Sequence, residues 1–181
     1  VIDLDAALFQ ARINLARIDF ALEDPNGAVN HLNAILSQDD SYIPAYELLY
    51  EYALSMGDDI RAERYLTTAI SANPDIITPR IKLVEYYFEQ NAVQRAKSRA
   101  ERLIQQFPSH AKANSLLGKA YLLSGQADDA IVLLRKSIEI DPAHLDAYLL
   151  LSDALMSNDM IFEARNALDA GMPFVEDRVP L

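Results

Sequence analysis

Two histidines, His110 and His144, are the residues whose spacing first suggests a shared chemical role. They stand 34 residues apart, so a fold that repeats at this interval would bring them to neighbouring, equivalent turns. Imidazole nitrogens bind zinc, but a stable zinc site needs three or four ligands. Neither a carboxylate nor a thiol completes the set, and the chain contains no cysteine. The pattern favours two solvated turn residues, and we expect neither a metal nor a cofactor.

Adjacent aspartates form a second group that could do chemistry, at positions 39–40, 58–59 and 128–129. A calcium loop would need acids at alternating positions around a glycine, and that arrangement is missing. All three pairs fall at predicted helix starts or turns, where carboxylates stabilise the helix N-terminus. The sequence also lacks a Gly-x-Ser-x-Gly elbow, a glycine-rich phosphate loop and a His-Glu-x-x-His helix. These observations predict a protein that is not an enzyme.

The amino-acid composition limits the classes of partner that the chain can bind. The formal net charge is −11 and the basic residues are scattered, which argues against nucleic acid as a partner. No apolar run reaches the ~18 residues of a membrane-spanning helix, so we expect no direct membrane insertion. A chain without cysteine is compatible with both the cytoplasm and the periplasm, and its localisation stays open. Residues that favour helices dominate, and no alternating strand pattern is present.

The elements that position these residues follow from an internal repeat. Pro74, Pro108 and Pro142 are spaced by 34 residues, and blocks of that length give five units: 9–42, 43–76, 77–110, 111–144 and 145–178. When the five blocks are aligned, two positions hold the same residue type in every block; we call such a set of equivalent positions a column. One contains only leucine (Leu15, Leu49, Leu83, Leu117, Leu151) and the other only alanine (Ala28, Ala62, Ala96, Ala130, Ala164). We therefore predict five helix–turn–helix units.

The fourth unit carries a family resemblance. It reads Leu117-Gly118-x-x-Tyr121, followed by Ala130, Leu134 and Pro142, and so resembles the tetratricopeptide repeat. The resemblance implies an all-α, right-handed superhelical solenoid in which each unit is a pair of antiparallel helices, A and B. It also implies a scaffold that binds other proteins. Asp19 departs from the pattern because it stands where Tyr121 stands, and we expect it to be solvated or paired.

Several local expectations accompany the repeat. Residues 1–8 align with the end of a helix B, so they read as the tail of a preceding repeat helix in a longer array. Asp141 and Pro142 read as an N-cap and first helical residue. Most tyrosines are expected to pack in the core, with Tyr46 the one most exposed. Because uncapped ends of a repeat array are sticky, homo-association through the ends is also expected.

The resemblance further implies a binding surface, since helix A lines the concave groove in this family. Carried onto this chain by position within the repeat, the groove comprises Ile13, Arg17, Phe20, Glu47, Glu51, Leu54, Ile81, Glu85, Phe88, Glu89, Ser115, Lys119, Leu122, Leu149, Asp153 and Met156. Four glutamates make its middle acidic, and a row of apolar side chains lies beside them. Lys and Asn, which family members use to clamp chaperone carboxylates, are replaced at most of these places.

The sequence therefore predicts a groove for a protein or peptide with basic and apolar residues. An alternative is that the acids form a solvated face, and that the segment is an architectural spacer in a long array with no ligand of its own. By analogy with the family, a segment of a longer bacterial protein from an envelope, exopolysaccharide or secretion assembly is expected.

Overall fold

A computed structural model describes residues 2–176 of the chain, with side chains from 7 to 174. Regular structure in this range is entirely α-helical. The ten helices are α1 (Ile2–Ala21), α2 (Pro25–Leu36), α3 (Ile43–Ser55), α4 (Asp59–Ala72), α5 (Thr78–Glu89), α6 (Val93–Gln106), α7 (Ala111–Leu123), α8 (Ala127–Ile140), α9 (Leu145–Ser157) and α10 (Ile161–Glu176). The predicted all-α class is confirmed. None of these helices is long and apolar enough to cross a bilayer.

The helices group into two compact units. The first, Val1–Pro79, contains α1 to α4, and the second, Arg80–Leu181, contains most of α5 and all of α6 to α10. Within the first unit α1 packs on α2, α2 on α3, and α3 on α4. Within the second, α6 packs on α7, α7 on α8, α8 on α9, and α9 on α10. Each 34-residue block of the sequence thus holds two consecutive helices.

The turn between the two helices of each pair has a common backbone feature. One residue adopts a left-handed conformation with positive φ, and these residues recur every 34 positions: Glu23, Gly57, Asn91, Gly125 and Asp159. Glycine and asparagine adopt this conformation readily, whereas Glu23 is an unusual occupant. The repetition gives every pair the same reversal of direction.

The alanine column explains how closely the paired helices approach. The four alanines from Ala28 to Ala130 are fully buried, and Ala164 is almost so. Gly118 on α7 allows the same close approach from helix A, because a Cβ atom there would lie 2.7 Å from Cγ of Leu134 on α8. Small side chains at both places let the helix backbones come together.

Four local expectations can be compared with the structure. Residues 2–8 continue into α1 without a turn, so the structure marks no helix boundary at residue 9. Asp141 and Pro142 do not start a helix: α9 begins at Leu145, and Asp141 instead accepts a hydrogen bond from the Ala143 amide in the preceding turn. Asp19 is paired, as expected, with an Oδ2–Nε2 distance of 3.5 Å to His31.

Tyr46 is buried, contrary to the expectation that it is exposed. Its hydroxyl donates to the carbonyl oxygen of Asp40, six residues earlier, at 2.9 Å. Tyr148 makes the same bond to Pro142 at 3.1 Å, and the amide of Asn114 reaches Pro108 at 3.1 Å. At this position of helix A, a polar side chain therefore donates a hydrogen bond to the backbone of the preceding turn and stabilises that turn.

Candidate functional site

Three helices of the second unit, α5, α7 and α9, face a common concave pocket of about 510 Å³. Each is the first helix of its pair, so the pocket is built by the same repeat position three times. The lining residues are Glu85, Phe88 and Glu89 from α5, Lys112, Ser115, Leu116 and Lys119 from α7, and Asp146, Leu149 and Leu150 from α9. We call this pocket the α5–α7–α9 groove.

The apolar part of the groove includes a side chain that folding leaves uncovered. Leu149 is 58 % exposed, although it sits in the middle of α9. Leu116 is buried and Leu150 and Phe88 are half-buried, so they are packed from below and present only part of their surface. An exposed leucine beside partly covered apolar side chains can accept an apolar residue of another molecule.

The charged part of the groove is organised around Lys112. Its Nζ atom lies 3.1 Å from Glu85 Oε1 and 3.4 Å from Asp146 Oδ2, so one ammonium bridges carboxylates of two neighbouring helices. All three groups are partly solvated, and each pair contributes little to stability. The bridge instead fixes where the charges stand and neutralises much of the acidity expected from the sequence.

The second lysine of the groove lies on an aromatic ring. Lys119 Nζ is 4.7 Å from the ring centroid of Phe88, within the range of a cation–π contact. With two lysines set against Glu85, Glu89 and Asp146, the groove has mixed charge with one carboxylate in excess. Glu89, which also lines the groove, is exposed. The groove is therefore less acidic than the sequence indicates.

The two spaced histidines lie next to this groove, since His110 precedes α7 and His144 precedes α9. The pKa of His144 is lowered from its ordinary value of 6.5, first by burial and then by the positive charge of Lys112. A neutral imidazole is therefore favoured there. No cluster of three or more potential metal ligands occurs among the residues described.

The groove residues predicted in the second unit divide into two sets. Six of them line the groove: Glu85, Phe88, Glu89, Ser115, Lys119 and Leu149. Leu122 packs instead against the core around α8 and α9. Ile81 is half-buried, and Asp153 and Met156 are exposed on α9, but these three lie outside the pocket lining.

The first unit contains the other predicted residues, and one of them needs correction. Ile13 is only 3 % exposed and belongs to the core formed with α2 and α3, so it cannot offer a surface to a partner. Phe20 is half-buried and stacks on Tyr52, with ring centroids 4.1 Å apart.

The remaining members of the first unit stay predictions. Arg17 and Glu51 are exposed, and Glu47 and Leu54 are half-buried.

Four lining residues were missed by the sequence analysis: Lys112, Leu116, Asp146 and Leu150. Lys112 and Asp146 occupy the second position of their repeats, and Leu116 and Leu150 the sixth. Their repeat positions are a signal that could have found them. The bridge made by Lys112 would still have required the distances.

Comparison with known families decides the identity of the repeat. The tetratricopeptide repeat family matches residues 87–136 and 121–178, which together span just over half of the chain. The chain belongs to the tetratricopeptide repeat family. Members of this family are generally protein-interaction scaffolds and are typically non-catalytic. No curated protein matches the chain significantly.

Solved structures share the tetratricopeptide fold at low sequence identity. MamA residues 41 to the end from Desulfovibrio magneticus RS-1 match with a TM-score of 0.71 at 17 % identity, covering 96 % of this chain and 98 % of that one. PilF of Pseudomonas aeruginosa gives 0.72 at 17 %, covering 94 % and 78 %. YrrB, described as a repeat protein with an unusual peptide-binding site, gives 0.65 at 18 %, covering 92 % and 86 %. These likenesses concern the fold.

Proposed function

We propose that the α5–α7–α9 groove binds a peptide or helix of another protein, and that the chain acts as a non-catalytic scaffold. The observation that carries the proposal is the exposed Leu149 in the lining of a concave pocket that also contains the carboxylates of Glu85, Glu89 and Asp146. An apolar side chain of the ligand would cover Leu149 and contact Phe88 and Leu150. Burying such an anchor supplies most of the affinity in interfaces of this kind.

The charges of the groove favour a ligand with a basic residue near its apolar anchor. Lys112 is held between Glu85 and Asp146, and Lys119 lies on the ring of Phe88, so both lysines already have partners. Glu89 is an exposed carboxylate in the lining of the groove, and it can attract a cation. A lysine or arginine of the ligand would meet this carboxylate, whereas an acidic ligand would be repelled by it.

A spacer role is the second candidate, and the Lys112 bridge favours it. The bridge gives Glu85 and Asp146 a cationic partner without any ligand, which suits a segment that only connects other parts of a repeat array. The two functions differ in one measurable respect. A scaffold loses affinity for a partner when the groove is changed, whereas a spacer binds no peptide there at all.

The wider setting also remains a proposal. We infer that the chain works as part of a longer bacterial repeat protein in an envelope, exopolysaccharide or secretion assembly. The fold likeness to proteins of Desulfovibrio magneticus and Pseudomonas aeruginosa supports a bacterial setting. The peptide-binding site named for YrrB supports peptide recognition as a use of this fold.

Fluorescence anisotropy with synthetic peptides tests the proposal. The probes are short peptides that pair a leucine or phenylalanine with a nearby lysine, and matched peptides in which glutamate replaces the lysine. We expect the basic set to bind wild type and the acidic set to bind more weakly. Glu89→Lys should weaken the basic peptides about tenfold, which equals ~1.4 kcal/mol.

Two control variants make the result specific. Glu139→Lys makes the same charge change at an exposed site of α8 outside the groove, and Val132→Ser removes an exposed apolar side chain there. Leu149→Ser should abolish measurable binding, whereas both controls should bind as wild type does. Equal binding by the groove variants and the controls would place the ligand elsewhere, and no binding by any variant or by wild type would favour the spacer.

A further inference from the structure

Helix α6, in the middle of the chain, differs in charge from the rest of the protein. It carries four basic residues and one acidic residue, Glu101, although the formal net charge of the whole chain is −11. Three of the basic residues, Arg95, Arg99 and Arg102, follow one another at spacings of four and three positions. Residues with these spacings share one face of a helix, so α6 presents a row of three guanidinium groups.

The three arginines line a depression of about 320 Å³ on the surface, together with Gln94 and Ser98. All five lining residues belong to α6, and none of them is acidic or apolar. Arg99 is half-buried and the other four are exposed. We call these five residues the α6 arginine face. It is a concave surface that carries positive charge and polar hydrogen-bonding groups.

The side chains of Arg99 and Arg102 are available to a ligand. Neither forms an ion pair or a side-chain hydrogen bond with any residue that the structure describes. The guanidinium of Arg95 lies over the ring of Tyr87, with its Cζ atom 4.4 Å from the ring centroid. This contact orients Arg95 and leaves its charge in place. The face therefore combines one oriented guanidinium with two whose N–H groups have no protein acceptor.

The internal repeat shows that the fold does not require arginine at these positions. The counterparts of Arg99 in the other four repeats have unrelated side chains: His31, Tyr65, Leu133 and Ala167. The counterparts of Arg102 include one other basic residue: Ala34, Thr68, Lys136 and Ala170. Five helix pairs of the same kind thus form with different residues here. The arginine row is a property of α6 alone, and helix packing does not account for it.

We propose that the α6 arginine face binds an acidic segment of another protein through the carboxylates of its side chains. A guanidinium group matches a carboxylate with two parallel hydrogen bonds. Arg95 and Arg102 are separated by about 10 Å along the helix axis, which suits several carboxylates in a row better than a single phosphate group. A long polyanion such as nucleic acid would extend beyond the face and be repelled by the net negative charge of the protein.

This inference is independent of the proposed function, because the face and the α5–α7–α9 groove share no residue. Fluorescence anisotropy tests it with labelled peptides that carry three glutamates at spacings of four and three residues. Matched peptides carry glutamine instead. We expect wild type to bind the glutamate peptide, with an affinity that falls as salt is added, and not the glutamine peptide. Arg99→Gln/Arg102→Gln should weaken binding at least about tenfold, since both charged donors are lost.

A second double variant controls for net charge. Arg135→Gln/Lys136→Gln removes the same two charges from exposed positions of α8 and should bind the glutamate peptide as wild type does. Circular dichroism establishes that both variants are helical. Failure of wild type to bind the glutamate peptide would overturn the proposal, and so would an equal loss of affinity in the two variants. A single-stranded oligonucleotide that binds wild type more tightly than the peptide would identify the face as a nucleic-acid site instead.

Discussion

Replacing Gly118 by alanine tests how tightly the helices of the fourth repeat are packed. The new Cβ atom would lie 2.7 Å from Cγ and 3.0 Å from Cδ2 of Leu134, which is fully buried. Cγ is a branch point, so the whole side chain must shift in a closed core. Overpacking of this kind costs ~1–3 kcal/mol. Removing a glycine from a helix interior gains ~1 kcal/mol, so the net loss is expected at ~0–2 kcal/mol.

A second substitution separates these two opposing effects. Leu134→Ala alone should destabilise strongly, by ~2–5 kcal/mol, because it leaves a cavity in the core. In that background, however, nothing stands in the way of a Cβ atom at position 118. Gly118→Ala should then raise stability by up to ~1 kcal/mol through its helix propensity. The effect of Gly118→Ala on stability is thus expected to change sign between the two backgrounds, which corresponds to a coupling free energy of ~1–3 kcal/mol between the two positions.

Thermal unfolding followed by circular dichroism measures the four proteins of this cycle. For a chain of this length each kcal/mol corresponds to a change in Tm of ~2–4 °C. The refuting result is an equal effect of Gly118→Ala in both backgrounds. It would show that Leu134 moves aside without cost and that close helix approach is not the reason for the glycine.

Three further predictions concern pH and hydrogen bonding. The pKa of Asp58 is lowered from its ordinary value of 3.8, chiefly by the hydrogen bond from the backbone amide of Arg61. Its stabilising effect should therefore be present at neutral pH and be lost as the pH falls below about 4; urea titrations should show a weaker acid dependence in Asp58→Asn. Because folding lowers the pKa of His144 from 6.5, this imidazole binds a proton more readily in the unfolded chain than in the folded protein. Stability should fall as the pH drops through 6.5, and His144→Asn should remove that part of the dependence in the same titrations. Tyr148→Phe removes the bond to Pro142 and should cost ~0.5–1.5 kcal/mol in urea unfolding, and an unchanged midpoint would contradict this role.

The sequence predicts the helices and their turns well because the repeat averages over five copies. A 34-residue spacing of prolines, leucines and alanines is enough to place each pair and its reversal. Single positions are less predictable, because each depends on how one helix is rotated in its own surroundings. On α1 apolar residues occur on more than one side, so the sequence does not tell which side faces the core, and Ile13 is buried although it was expected in the groove.

Contacts between side chains and groups several residues or more away in the sequence are also not predicted by the repeat pattern. The sequence predicts that Tyr46 is exposed, whereas in the structure its hydroxyl donates a hydrogen bond to the backbone carbonyl of Asp40. Likewise, the glutamates suggest an acidic groove until the position of Lys112 between two carboxylates is known. Repeat offsets identify which helix face carries a residue. They do not give the distances that decide whether its charge is neutralised.

The most direct test of the central claim, that the α5–α7–α9 groove binds a peptide, is a methyl NMR titration with the tightest-binding basic peptide from the anisotropy measurements. The claim predicts shift changes concentrated at Leu116, Leu149 and Leu150, with little change at Leu123 and Val132, which are exposed outside the groove. Changes confined to the methyl groups outside the groove, with Leu149 unaffected, would contradict it.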